Sequence, residues 1–140
     1  VHLDRSGLEP ALRDLCETMM KTFGVECRLS LPRRRLTFNS DISAHVFRVI
    51  QELVTNAAKH SLPEWIEIQL AESDGTSTVL VTHNGTPFSV TGVDTKGMGL
   101  HLMQQRLDVL GASLRRGKKK LQDGSIVVFS SFELESPQTL

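Results

Sequence analysis

The chain has 140 residues, with 16 Lys plus Arg balanced by 16 Asp plus Glu for a formal net charge of zero. That length supports one compact domain with a sizeable core, and the charge balance excludes nucleic-acid binding through a general basic field. Hydrophobic residues at 39% and charged residues at 23% exclude a disordered chain, and no apolar run reaches the length of a membrane helix or a signal-peptide core.

Leu8, Leu12, Leu15, Met19 and Phe23 recur at helical spacing, which predicts an amphipathic helix over 7–23 closed by Gly24. Val25, Cys27, Leu29 and Leu31 alternate with polar residues as in a half-buried strand ended by Pro32. Cys16 and Cys27 belong to no CxxC or Cys/His cluster and read as a reduced pair buried as small apolar residues. Arg33, Arg34 and Arg35 form a basic turn before a short strand expected around Leu36 to Phe38.

Ser40 or Asp41 is positioned to cap a long helix running to about His60, with an apolar stripe of Ile42, Val46, Val49, Ile50, Leu53 and Ala57. Pro63 stops it. Trp65 to Leu70 and Thr78 to Val81 read as a hairpin turned by Asp74-Gly75. Glycines and a proline between Asn84 and Gly99 mark a loop. A helix from Leu100 to Leu110 ends at Gly111, and strands from Ser113 to about Lys118 and from Ser125 to Leu134 close the chain around Asp123-Gly124. Helices and strands grouped in this order, without βαβ alternation, predict an α+β two-layer sandwich.

Three constellations bear chemistry. Glu52, Asn56, Lys59 and His60 fall on one stripe of the long helix, within about 100° of one another around its axis. An amide oxygen there suits Mg²⁺ and an ammonium suits phosphate, although the same stripe also describes an ordinary solvated face. Gly97 and Gly99 stand where a loop becomes a helix, the place where backbone N–H groups meet anions. No GxxxxGK[ST] occurs, and the glycine pair lacks the strand and third glycine of a dinucleotide fingerprint. His83-Asn84-Gly85 follows a strand directly and by itself indicates only a turn.

In this order and spacing the three resemble one family. The run from Arg48 to His60 resembles the N-box of sensor histidine kinases, His83-Asn84-Gly85-x-Pro87-Phe88 stands where the D-box does, and Gly97 through Gly111 is similar to the G-box and its helix. Gly124-Ser125-Ile126-Val127-Val128-Phe129 resembles the closing strand motif. The short interval between the second and third boxes is similar to the subgroup with compact ATP lids. The likeness spans about residues 7–135.

The resemblance implies a Bergerat-type ATP-binding domain over the whole of 1–140, excised from a longer kinase: a mixed, mainly antiparallel sheet with three main helices on one face. It implies that Asn56 ligates the Mg²⁺ bridging the phosphates, that Glu52 holds a water or assists proton handling, and that Lys59 and His60 lie near phosphates or ribose. Gly97, Gly99 and Leu100 would cradle phosphate through backbone N–H groups, Gly85 would turn the D-box, and Ser125 would stand beside the adenine.

The partners implied are a dimerisation and phosphoacceptor domain of the same kinase and then a response regulator, with no nucleic acid and no membrane contact by this domain. The location implied is cytoplasmic, with membrane anchoring of the full-length protein left open. No residue matches the family's acceptor histidine, so the isolated domain is expected to bind Mg·ATP without phosphorylating itself stably. A serine kinase of the anti-sigma-factor kind and a nucleotide-free pseudokinase module are the competing readings.

One position departs from the family. His83 stands where an aspartate usually accepts the adenine 6-amino hydrogen. A neutral imidazole offers one acceptor nitrogen, so the exchange is expected to weaken binding by about 1–2 kcal/mol and to make it fall as pH drops through about 6.5. His101 beside Met103 reads as packing rather than a metal site, and the Arg115–Lys120 run as a solvated strand end, since no aromatic residue interleaves with it.

Overall fold

The first apolar stripe closes into helix α1 (Leu8–Phe23), with Leu8, Ala11, Leu12, Leu15 and Met19 buried. Gly24 ends it at φ 68 and ψ 22, a left-handed geometry that costs glycine nothing, and its N–H donates to the Met20 carbonyl. The reversal lays β1 (Glu26–Ser30) back against α1. Residues 7–33, 38–85 and 98–135 are described in this computed structural model. Arg34, Arg35, Leu36 and Thr37 lie outside them, and Phe38 belongs to no strand, so the short strand expected at 36–38 is not seen at its described end.

Helix α2 (Ser40–His60) is capped by Asn39 rather than by Ser40 or Asp41: Asn39 Oδ1 accepts the Ile42 N–H at 2.9 Å. Asn39 keeps extended backbone at φ -64 and ψ 165, whereas Ser40 and Asp41 already belong to the first turn. Val46, Val49, Ile50 and Val54 are fully enclosed at 0% exposure, which makes α2 the central helix of the core.

Strands β2 (Trp65–Ser73) and β3 (Thr76–His83) form a hairpin longer than the apolar alternation suggests. Ala71, Glu72 and Ser73 continue the ladder opposite Thr78, Ser77 and Thr76, because pairing needs only backbone groups. Asp74 and Gly75 turn the hairpin with φ of 51 and 78, the positive pair of a two-residue type I′ turn.

Helix α3 (Met98–Leu110) begins two residues before the expected Leu100, so Gly99 sits in its first turn. Strands β4 (Arg115–Lys120) and β5 (Ile126–Glu135) close the sheet, and both start later than the sequence pattern suggests. Lys119 and Lys120 join the ladder through their backbones, opposite Val127 and Ile126, while their side chains stay exposed.

The five strands lie in the order β1-β2-β3-β5-β4, with β1–β2 parallel and every other pair antiparallel. One face of the sheet carries Ile66, Ile68, Leu70, Val79, Val81 and Phe132, all buried in one core cluster with α1, α2 and α3. The described residues form the expected α+β sandwich: a mixed, mainly antiparallel sheet with three helices on one face. On the other face Arg28 stacks 4.9 Å from the Trp65 ring centroid and reaches Glu26 at 3.1 Å. Among the described residues no helix is long and apolar enough to cross a membrane.

Candidate functional site

Chain topology gathers the candidate residues at one end of the sheet. Helix α2 finishes at His60, and Ser61 to Glu64 lead straight into β2, whose Ile66 pairs with His83 at the end of β3. His83 in turn pairs with Val128 near the start of β5. The last turns of α2, the end of β3 and the β4–β5 connection therefore share this end.

Helix α3 returns alongside α2. Arg106 Nη1 lies 3.5 Å from His45 Nδ1, near the opposite end of α2, while Met103 and Leu107 are buried in the common core. Helix α3 leads through Gly111 into β4, whose first residue Arg115 pairs with Ser131, away from the Val128 end of β5. It therefore runs from the His83 end toward the far end of the sheet, with Gly99 and Leu100 in its first turn. His101 is exposed and Met103 is 3% exposed, consistent with packing as the role of the methionine. Gly97, Pro87 and Phe88 lie outside the described residues.

On α2, Glu52 and Asn56 stand one turn apart, both half-buried beside the enclosed Leu53 and Ala57. Lys59 is exposed, and His60 is half-buried and engaged by a neighbour. Of the four, Lys59 alone is exposed. Among the described residues no three His, Cys, Asp or Glu side chains gather into a metal cluster.

His83 continues the inward alternation of Val79 and Val81 and is only 4% exposed. Its Nδ1 lies 2.8 Å from the Asn84 carbonyl oxygen. A carbonyl can only accept, so Nδ1 carries the proton and donates. In the neutral ring Nε2 then bears the lone pair. Burial pushes the imidazole pKa below its ordinary value, against the Asn84 carbonyl, which favours the protonated form; the Arg116 charge on β4 lowers it further.

Asn84 holds this end together in a way the sequence did not reveal. Its Oδ1 accepts the backbone N–H groups of Glu64 at 2.8 Å and Trp65 at 3.2 Å, tying the end of β3 to the start of β2. Gly85 adopts φ 91 and packs on the α2–β2 connection, where a Cβ would overlap the Ser61 carbonyl oxygen and stand 3.1 Å from Pro63 Cα. The turn after β3 is thus specified by backbone proximity.

Ser125 is exposed in the β4–β5 connection, at the same end of the sheet. Its hydroxyl donates to Asp123 Oδ1 at 2.5 Å and its N–H to the same oxygen at 2.9 Å. These bonds hold the Asp123 carboxyl below its usual range. The hydroxyl therefore serves the turn in this structure rather than standing free toward a ligand.

The sequence profile of the histidine kinase-, DNA gyrase B- and HSP90-like ATPases matches residues 41–136. The nitrate/nitrite sensor protein NarX of Escherichia coli is 26% identical over 130 residues, 91% of this chain and 21% of NarX. The oxygen sensor histidine kinase NreB of Staphylococcus carnosus is 28% identical over 114 residues, 80% of this chain and 33% of NreB. The chain thus spans about a fifth to a third of the length of these relatives. A histidine kinase domain from the blue-light-activated kinase of Erythrobacter litoralis superposes with a TM-score of 0.71 at 15% identity, over 91% of this chain and 64% of that one. These matches do not favour the serine-kinase or pseudokinase alternatives. With the profile covering more than half of its length, the chain belongs to the family of histidine kinase-, DNA gyrase B- and HSP90-like ATPases, as an ATP-binding domain.

Proposed function

We propose that this chain is the ATP-binding catalytic domain of a sensor histidine kinase, which presents the γ-phosphoryl of Mg·ATP to a histidine on a separate dimerisation domain for relay to a response regulator. The observation that carries this is the convergence at one end of the sheet of the last turns of α2, the buried His83 and the first turn of α3. Catalysis of phosphoryl transfer is mostly positioning and charge neutralisation, and these elements supply both.

Asn56 and Glu52 present oxygen donors one turn apart, which fits a hard divalent cation. With no carboxylate and imidazole cage among the described residues, the cation would take its other ligands from phosphate and water. Mg²⁺ there would neutralise phosphate charge. Lys59 and His60 flank the phosphates, and the first-turn N–H groups of α3 at Gly99 and Leu100, with Gly97 before them, cradle phosphate oxygens. Gly85 shapes the base end of the pocket, and Ser125 stands by the adenine once its bond to Asp123 gives way.

His83 takes the base. With Nδ1–H committed to the Asn84 carbonyl, Nε2 is the ring's acceptor and suits the adenine 6-amino group. A guanine carbonyl at that place would set acceptor against acceptor.

Calorimetric titration with ATP tests the reading. Micromolar-to-millimolar binding that requires Mg²⁺ and is lost in Asn56→Ala supports it. Absence of binding to the folded wild-type chain overturns it. Incubation of the isolated chain with γ-labelled ATP should leave no stable acid-labile label, since the acceptor histidine belongs to another domain.

A further inference from the structure

Cys16 and Cys27 take no part in the nucleotide site proposed above. Both are free, half-buried and packed against the core. The left-handed Gly24 folds β1 back along α1 between them. Cys16 lies about 12 Å up the helix from Gly24 at about 1.5 Å per residue, and Cys27 about 10 Å along the strand at about 3.3 Å per residue. The two therefore come level. Cys27 pairs with the buried Ile66 and so points to the helix-covered face, and Cys16 borders the buried stripe of Leu12, Leu15 and Met19. Each thiol is near enough to the other to shift its ionisation, Cys16 downward and Cys27 upward.

We propose that Cys16 and Cys27 form a dithiol site that a hydroperoxide oxidises to a reversible intrachain disulfide between α1 and β1. Cys16 is the attacking group. The neighbouring Cys27 thiol favours its thiolate against the opposing effect of burial, and the Arg13 guanidinium one turn away helps. Cys27 holds its proton well above the ordinary thiol range, because of the neighbouring Cys16 and its own burial.

The Cys16 thiolate attacks one peroxide oxygen and breaks the O–O bond, giving a sulfenic acid on Cys16 and an alcohol or water as the other product. The Cys27 sulfur then attacks the Cys16 sulfur, the S–S bond forms, and the hydroxyl leaves as water with the Cys27 proton. The dithiol loses two electrons and two protons, and the peroxide is reduced by two electrons. Thiol–disulfide exchange with a small thiol such as glutathione restores the pair.

The test treats the whole chain with one equivalent of hydrogen peroxide, followed by intact mass and a non-reducing tryptic map. Loss of two hydrogens, with peptides 14–21 and 22–28 joined by a bridge that dithiothreitol cleaves, supports the site. In Cys27→Ser, dimedone should trap sulfenic acid on Cys16. Unlinked peptides in the folded wild-type chain, disulfides only between chains, or oxidation no faster than that of a free cysteine overturns it.

Discussion

Gly85 and Ser61 touch backbone to backbone: at φ 91, the Gly85 Cα leaves no room for a Cβ beneath the Ser61 carbonyl. The contact fastens the end of β3 to the end of α2, the two elements on which the base and phosphate ends of the proposed pocket rest. Gly85→Ala combines a strained backbone angle with a clash against main-chain atoms that cannot rotate away. It should cost about 2–3 kcal/mol of stability, measured by urea unfolding.

Asn84→Ala should also destabilise, for a different reason. It strips the Glu64 and Trp65 N–H groups of their shared acceptor, at an expected cost of about 1–3 kcal/mol. Hydrogen exchange at those two amides should speed up before that at Val79 or Val81, which sit in the middle of the ladder.

His83 makes the pH dependence specific. Its folded pKa lies below the usual value, so the unfolded chain binds the proton more readily than the native one. The stability this confers is complete above pH about 6.5, the unfolded value, and is lost as pH falls toward the lowered native value. ATP affinity should follow the native value: flat near neutrality and falling only below pH about 6.5, lower than an unperturbed histidine would give. His83→Asp should tighten ATP by about 5–30-fold, since a carboxylate accepts the amino hydrogen more strongly. Titrations from pH 5 to 8 check both; an affinity already falling above pH 7 would contradict the buried neutral ring.

The cap of α2 gives a paired prediction. Asn39→Ala removes the acceptor for the Ile42 N–H and should cost about 1 kcal/mol. Ser40→Ala, inside the first turn, should stay within about 0.5 kcal/mol. Thermal unfolding of the two variants side by side distinguishes them.

The stripe of Glu52, Asn56 and Lys59 was legible because helical periodicity alone puts them on one face. The alternation of Val79, Val81 and His83 likewise reveals on which side of the sheet the histidine falls. Its protonation pattern was not legible, because that depends on where the Asn84 carbonyl points after the turn. Asn84 itself looked like simple turn chemistry, since its partners lie about twenty positions earlier and only folding brings them within reach. Ser125 shows the converse: the motif marks the position, but the Asp123 carboxylate two residues away captures the hydroxyl. Cys16 and Cys27 were legible as a reduced, partly buried pair, but their coming level was not, because spacing across a helix–strand reversal follows two different rises per residue.

At the far edge of the sheet, β4 carries five cations in six residues, interrupted only by Gly117, over which the Phe129 ring lies. An outermost strand has backbone groups that another copy's strand could pair with. Two such edges approaching one another would bring rows of like charge together at the spacing of a β ladder, so copy-to-copy sheet growth meets electrostatic repulsion before hydrogen bonds can form. The basic run thus has a colloidal consequence of its own: it opposes edge-to-edge pairing between copies.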